Sequence, residues 1–192
     1  MNIFEPKKNR EHNILEAATR VFTRYGVKRT TMNDIAEEAG IVRQTLYNVF
    51  KNKDEVLCAT IRWFCDTSLA AAEDDIAKTD KLEDQLDILF HNFVVTAYEM
   101  IEQSPDADDV INGFNALGKE ELEHAKARFC EAFETLLAPH SAALKANGYE
   151  VAAMADYVTT AAKGVKTQAR DKAHLLASLD TLKKTVLQAA AA

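Results

Sequence analysis

Apolar residues along this chain recur three and four positions apart, the period of an α-helix with one buried face. Ile14, Leu15, Ala18, Val21, Phe22 and Tyr25 form one such stripe, and Leu82, Leu86, Leu89, Phe93, Ala97 and Met100 form another. Breaks between stripes are few, since the 192 residues include only 6 Gly and 3 Pro. A β-sandwich of many short strands needs more turn punctuation. The pattern predicts an all-α chain of roughly nine helices.

The helix ends are marked by specific residues. Gly26 follows the first stripe as a C′ glycine. Thr31 with Asp34 three residues on forms an approximate capping box for a short helix ending at Gly40. A second short helix occupies 43–50. Asn52, Lys53, Asp54 and Glu55 read as cap, first turn and capping glutamate of a long helix reaching about residue 77. Asp80 is expected to cap a helix running to about residue 103. Ser104, Pro105 and Asp106 open the next, which ends near 113–118. A further helix begins at Lys119, Glu120 and Glu121 and stops before Pro139. The last two are expected over 150–169 and 171–190, with a frayed alanine tail.

Charge is distributed unevenly. The whole chain carries 23 Lys+Arg against 30 Asp+Glu, a net of −7. Residues 1–57 hold 10 against 8, net +2, and residues 58–192 hold 13 against 22, net −9. A basic head on an acidic body suggests that the head meets phosphate. No stretch approaches the roughly 18–20 uncharged apolar residues of a membrane span, and no secretory leader is evident. Three widely spaced cysteines, Cys58, Cys65 and Cys130, do not make a disulfide framework, so a reducing cytoplasm is expected. The five histidines are scattered, and neither metal-ligand spacing nor a phosphate-binding or nucleophile motif appears. No metal or cofactor and no enzymatic activity are expected.

The two short helices around Gly40, Ile41 and Val42 carry the functional signal. Short helices joined by a three- to four-residue turn with glycine are the helix-turn-helix pattern. Ile35, Ala36, Ala39, Ile41, Leu46 and Phe50 can close a small core beneath the first helix. The remaining face presents Arg43, Gln44, Thr45, Tyr47 and Asn48, side chains able to donate and accept hydrogen bonds at bases and phosphates. Lys7, Lys8 and Arg10 are candidates for an arm entering the minor groove.

Residues 17–61 resemble the N-terminal domain of TetR-family transcriptional repressors. The matching pieces are Ala18–Phe22, Gly26, Thr30 and Thr31, Asp34-Ile35-Ala36, Ala39-Gly40-Ile41, Thr45-Leu46-Tyr47, Phe50 and Lys53-Asp54-Glu55. The resemblance implies a three-helix DNA-binding domain over residues 1–52 and a helical effector-binding and dimerisation domain over 53–192. It implies that Tyr47 and Lys53 contact phosphate and that Thr31 caps its helix facing the DNA backbone. It places Arg43, Gln44, Thr45 and Asn48 at base-reading positions. The chain departs from the pattern at Val42, where many members carry a small hydroxyl residue. Valine has no oxygen with which to cap the following helix.

The body gives weaker signals. Its aromatics cluster between 63 and 133, and the helix around Leu89, Phe90, Phe93, Val94 and Val95 is apolar on more than one side. Trp63, Phe90, Phe93, Phe114 and Phe133 are candidate ligand-binding residues, while packed core accounts for most of the aromatics of this region. Val158 on one late helix, with Leu175, Leu179, Leu182 and Val186 on the other, forms an apolar stripe. The resemblance implies that these helices build a two-fold homodimer; the same stripe can also pack on the chain's own body. The expected function is a ligand-responsive transcriptional regulator: a repressor released from a palindromic double-stranded DNA operator by a small, largely apolar effector. An activator, an effector-independent member, and a helical adaptor or enzyme are the alternatives.

Overall fold

The structure, a computed structural model, describes residues 7–102 and 115–191, with side chains from residue 10 onward. Every regular element among them is helical. In chain order these are α1 (Lys7–Tyr25), α2 (Met32–Glu38), α3 (Arg43–Tyr47), α4 (Lys53–Ile76) and α5 (Leu82–Phe90). There follow α6 (Thr96–Glu102), α7 (Ala116–Leu137), α8 (Ser141–Ala146), α9 (Val151–Gln168) and α10 (Lys172–Ala189). The helix expected to open at Ser104 lies outside the described residues.

Local chemistry explains most of the ends. Thr31 Oγ1 accepts from the Asp34 amide at 3.2 Å, while the Thr31 amide donates to Asp34 Oδ2 at 2.7 Å, a complete capping box. Asn52 Oδ1 accepts from the Glu55 amide at 2.8 Å and starts α4. Gly40 turns the chain with φ +67°, a conformation that a Cβ disfavours. Three expectations need correction. Asp80 is not the cap of α5, whose N-cap position is held by Lys81, and Lys81 makes no side-chain cap. The helix that follows is interrupted by a π-helical turn over His91–Val95. The alanine tail is tied down, because Asn147 Nδ2 donates to the carbonyls of Ala189 and Ala191 at 3.0 and 3.1 Å.

Contacts divide the chain into two compact units, and not at the expected boundary of 52/53. The first takes the residues up to Asp66 together with Met100–Glu123; the second takes Thr67–Glu99 and His124–Ala192. The physical reason is visible in α4. Val56, Leu57 and Ala59 are buried in the same core as Ile14, Val21, Ile35 and Leu46, so the first turns of α4 belong to the head.

In the second unit α10 packs against both α9 and α5. Lys183 on α10 is buried and donates to Asp87 Oδ2 on α5 at 2.8 Å, an ion pair that raises the lysine's pKa. The apolar stripe expected at a partner surface is turned the other way. Val158, Leu175, Leu179, Leu182 and Val186 are all buried within the single chain, the most exposed at 7%. Their side chains are taken by intrachain packing and cannot also meet a second copy. The opposite face of these helices carries Tyr157 at 53% exposure and Leu176 at 46%. Gly164 is also exposed, and a Cβ built there would meet nothing within 4 Å.

Candidate nucleic-acid interface

The helix-turn-helix is held from beneath. Ile35 and Leu46 are 0% exposed, and Phe50 is buried with them against α1. The turn is closed by the Ile41 amide donating to the Ala36 carbonyl at 3.0 Å. With Leu46 fixed inward, the 3.6-residue period turns Arg43, Gln44, Tyr47 and Asn48 outward, and all four are exposed. Thr45 is half-buried at the edge of this face.

The outward residues are paired one turn apart. Arg43 Nη2 donates to Tyr47 Oη at 3.2 Å, and the guanidinium lies 5.3 Å from the Tyr47 ring centroid. Gln44 Nε2 donates to Asn48 Oδ1 at 3.1 Å. These bonds leave useful groups for a partner. The Tyr47 hydroxyl proton can still be donated, Arg43 keeps further N–H groups, and Asn48 Nδ2 is a two-proton donor. The face therefore combines donors for acceptors on guanine or phosphate with amides suited to adenine.

The basic residues of the head divide by partner. Arg20 Nε donates to Glu38 Oε1 at 2.7 Å and Arg24 Nη1 to Oε2 at 3.3 Å, so both are committed to Glu38. The Arg20 hydrogen bond is the main cause that holds the Glu38 carboxyl below its ordinary pKa. Lys51 and Arg10 are exposed. The side chains of Lys7 and Lys8, candidates for an arm, lie outside the described residues.

Lys53 is the principal correction. Its Nζ donates to the carbonyls of Val27 at 2.6 Å, Thr30 at 2.8 Å and Lys28 at 3.3 Å. An ammonium has three protons, and three backbone acceptors engage it. In this structure Lys53 pins the α1–α2 link to the start of α4 instead of reaching outward for phosphate. Thr31, by contrast, caps α2 at an exposed position. Val42 stands before α3 without a side-chain cap.

The five candidate ligand residues do not form one group. Trp63 packs on the head core, its ring 6.3 Å from His12. Phe114 lies outside the described residues. Phe90 and Phe133 pack on each other in the second unit with centroids 5.5 Å apart. Phe93 pairs with Phe129, a residue outside the five, at 4.5 Å. Sequence reasoning also missed Lys166. Its ammonium lies 5.2 Å from the Phe93 ring centroid, and burial, with repulsion from Lys163, lowers its pKa to about 8. No pattern in the sequence signals that lysine, since it is a single charge in the last turn of α9.

Cys58 and Cys65 are buried, and none of the three cysteines is in a disulfide. Burial, reinforced by Glu121, raises the Cys58 thiol and disfavours the reactive thiolate. No cluster of potential metal ligands and no helix able to cross a membrane occurs among the described residues.

A buried three-helix core presenting a polar, partly basic face on a short second helix defines a helix-turn-helix protein. Residues 14–60 match the model of the family described as bacterial regulatory proteins, tetR family. The transcriptional regulator TtgR of Pseudomonas putida is 42% identical over 76 residues, covering 40% of this chain and 34% of that protein. The transcriptional repressor KstR2 of Mycobacterium tuberculosis is 33% identical over 94 residues, covering 49% of this chain and 45% of that protein. The matches thus span less than half the length of either relative. The fold extends further. FadR from Bacillus subtilis, solved in complex with stearoyl-CoA, superposes with a TM-score of 0.68 at 15% identity, covering 93% of this chain and 98% of that one.

Proposed function

We propose that this chain is a DNA-binding transcriptional repressor that acts as a homodimer on a palindromic operator. The observation that carries the proposal is the exposed face of α3, with Arg43 braced by Tyr47 and Gln44 by Asn48 over a fully buried Leu46. Thr45 and Thr31 flank the face. Tyr47, through its free hydroxyl proton, contacts phosphate, while Arg43, Gln44 and Asn48 read base edges. A single five-residue helix reads few base pairs, and two-fold symmetry doubles the contacts.

The second copy docks on the outer faces of α9 and α10, at Tyr157, Leu176 and Gly164. An exposed glycine within a helix costs about 1 kcal/mol relative to alanine. Among the described residues nothing lies close enough to Gly164 to need the missing Cβ. Close approach of another helix gives a reason for it. Location in the cytoplasm follows from a chromosomal target.

A small effector, largely apolar with an acidic group, binds in the second unit and weakens operator affinity. The π-helical turn that carries Phe93 supports this reading, because such turns concentrate at functional sites. Lys166 over the Phe93 ring supplies a cation for the acidic group. The FadR complex with stearoyl-CoA is a precedent for an apolar chain with an anionic head on this fold.

The test selects duplexes from a randomised pool with the full chain and measures their affinity against salt. A sequence-selective complex whose log affinity falls with log salt is expected. Arg43→Ala should cost about 1–3 kcal/mol and relax choice at one base pair per half-site. Selection of no sequence by the wild-type chain overturns the reading.

A further inference from the structure

Val42 is the least explained side chain on the head. It is 70% exposed, the most exposed large hydrophobic residue among those described. It holds the N-cap position of α3, where Ser, Thr, Asp or Asn would satisfy an orphan amide. Valine there forgoes the cap and buries nothing in the free chain. Its neighbour Ile41 packs inward on the core, so the turn itself does not force position 42 to be apolar. Val42 also begins the exposed run that continues with Arg43 and Gln44, with Tyr47 and Asn48 one turn on.

We propose that Val42 is a base-reading residue that selects thymine by contact with its 5-methyl group. The inference rests on the DNA-binding reading above and deepens it. Residues at the start of a recognition helix in the major groove face base edges. On those edges the thymine methyl is the apolar feature; the other groups are hydrogen-bond donors or acceptors. Val42 pressed against a donor or acceptor would strip its water and return no hydrogen bond. Pressed against a methyl, it removes apolar surface from water on both sides. A hydroxyl residue at this position would instead offer an oxygen to the helix or to a phosphate. The loss of the cap and the exposure of the isopropyl group therefore have one common explanation in the complex.

The experiment uses the full chain and the duplex it selects from a randomised pool. Each thymine is replaced in turn by deoxyuridine, which removes the methyl alone. Burial of one methyl corresponds to about a fourfold change in affinity, and to about fifteenfold when both half-sites are changed. The wild-type chain should lose about that much at one thymine per half-site. Val42→Ala should bind the thymine and deoxyuridine duplexes alike at that position. Val42→Thr, which keeps one methyl, should retain part of the discrimination and gives the comparison if Val42→Ala binds too weakly to measure. The inference is overturned if no thymine is methyl-sensitive, or if Val42→Ala discriminates as strongly as wild type. In both cases sequence-selective binding by the wild-type chain would leave the DNA-binding reading standing, whereas its absence would remove both.

Discussion

Replacing Lys53 by methionine keeps the aliphatic stem and removes only the ammonium. Three carbonyls then lose their donor: Val27 at 2.6 Å, Thr30 at 2.8 Å and Lys28 at 3.3 Å. A hydrogen bond from a charged donor contributes about 1.5–3 kcal/mol, and a buried acceptor left bare costs about 1–3 kcal/mol. The third bond is long, and the site is only half-buried, so water replaces part of what is lost. A net destabilisation of about 2–3 kcal/mol is expected, equivalent to a melting point lower by about 4–12 °C for a chain of this size. Thermal and urea unfolding of Lys53→Met measure it. Operator binding is then titrated against salt at a temperature where the variant is folded. The slope should match wild type, since the ammonium is engaged by the protein. A lysine at phosphate behaves in the opposite way: stability changes little, and the salt slope falls by about one. Unchanged stability together with a reduced slope would refute the clamp and restore the phosphate contact.

Other perturbations separate the remaining assignments. Leu179→Glu puts a carboxylate at a buried position of α10, so the protomer itself should unfold, losing upwards of about 3 kcal/mol in urea titration. A folded monomer would show that the stripe faces a partner. Gly164→Leu should leave the protomer as stable or about 0.5–1 kcal/mol more stable, yet lower the dimer fraction in sedimentation; an unchanged dimer would move the interface elsewhere. Lys166, lowered to about 8 in the folded chain from 10.5, gives a pH signature. Between those values the unfolded chain holds a proton that the folded chain has released, so stability should rise with pH across that window. Lys166→Met should remove the rise and stabilise the protein by about 1–3 kcal/mol at pH 7.

What the sequence reveals depends on how far apart the interacting groups lie along it. The Thr31–Asp34 capping box and the Asn52 cap join residues three apart, and Gly40 acts on its own φ, so all were legible. The exposed face of α3 was legible because a buried Leu46 and a fixed helical period leave little freedom for Arg43, Gln44, Tyr47 and Asn48. Lys53 was not, since its acceptors lie 23–26 residues back in an irregular link. Periodicity grouped Leu175, Leu179, Leu182 and Val186 correctly on one face, but a face carries no label saying whether its own chain or a second copy covers it. The π-helical turn at His91–Val95 leaves no mark in composition, because one extra residue per turn is invisible to a stripe of apolar residues on a helix buried most of the way round.

Helix α3, the proposed recognition helix, has little means of holding itself. It is five residues long, far below the roughly 12–15 residues at which an isolated helix becomes even marginal in water, and Val42 denies it a side-chain cap. Its geometry must therefore come from outside. Leu46 at 0% exposure anchors the middle and Phe50 at 6% the exit, while the Ile41 amide on the Ala36 carbonyl fixes the entry. Each of these ties α3 to the core of the head, which includes Val56, Leu57 and Ala59 of α4. A small rearrangement of that core therefore shifts Arg43, Gln44, Tyr47 and Asn48 together, as one rigid face, and on the proposed reading would change every base contact at once. A helix with its own cap and greater length would resist such a shift. The weak local stability of α3 thus makes its position a property of the head core, and on the proposed reading base recognition would be sensitive to whatever moves the first turns of α4.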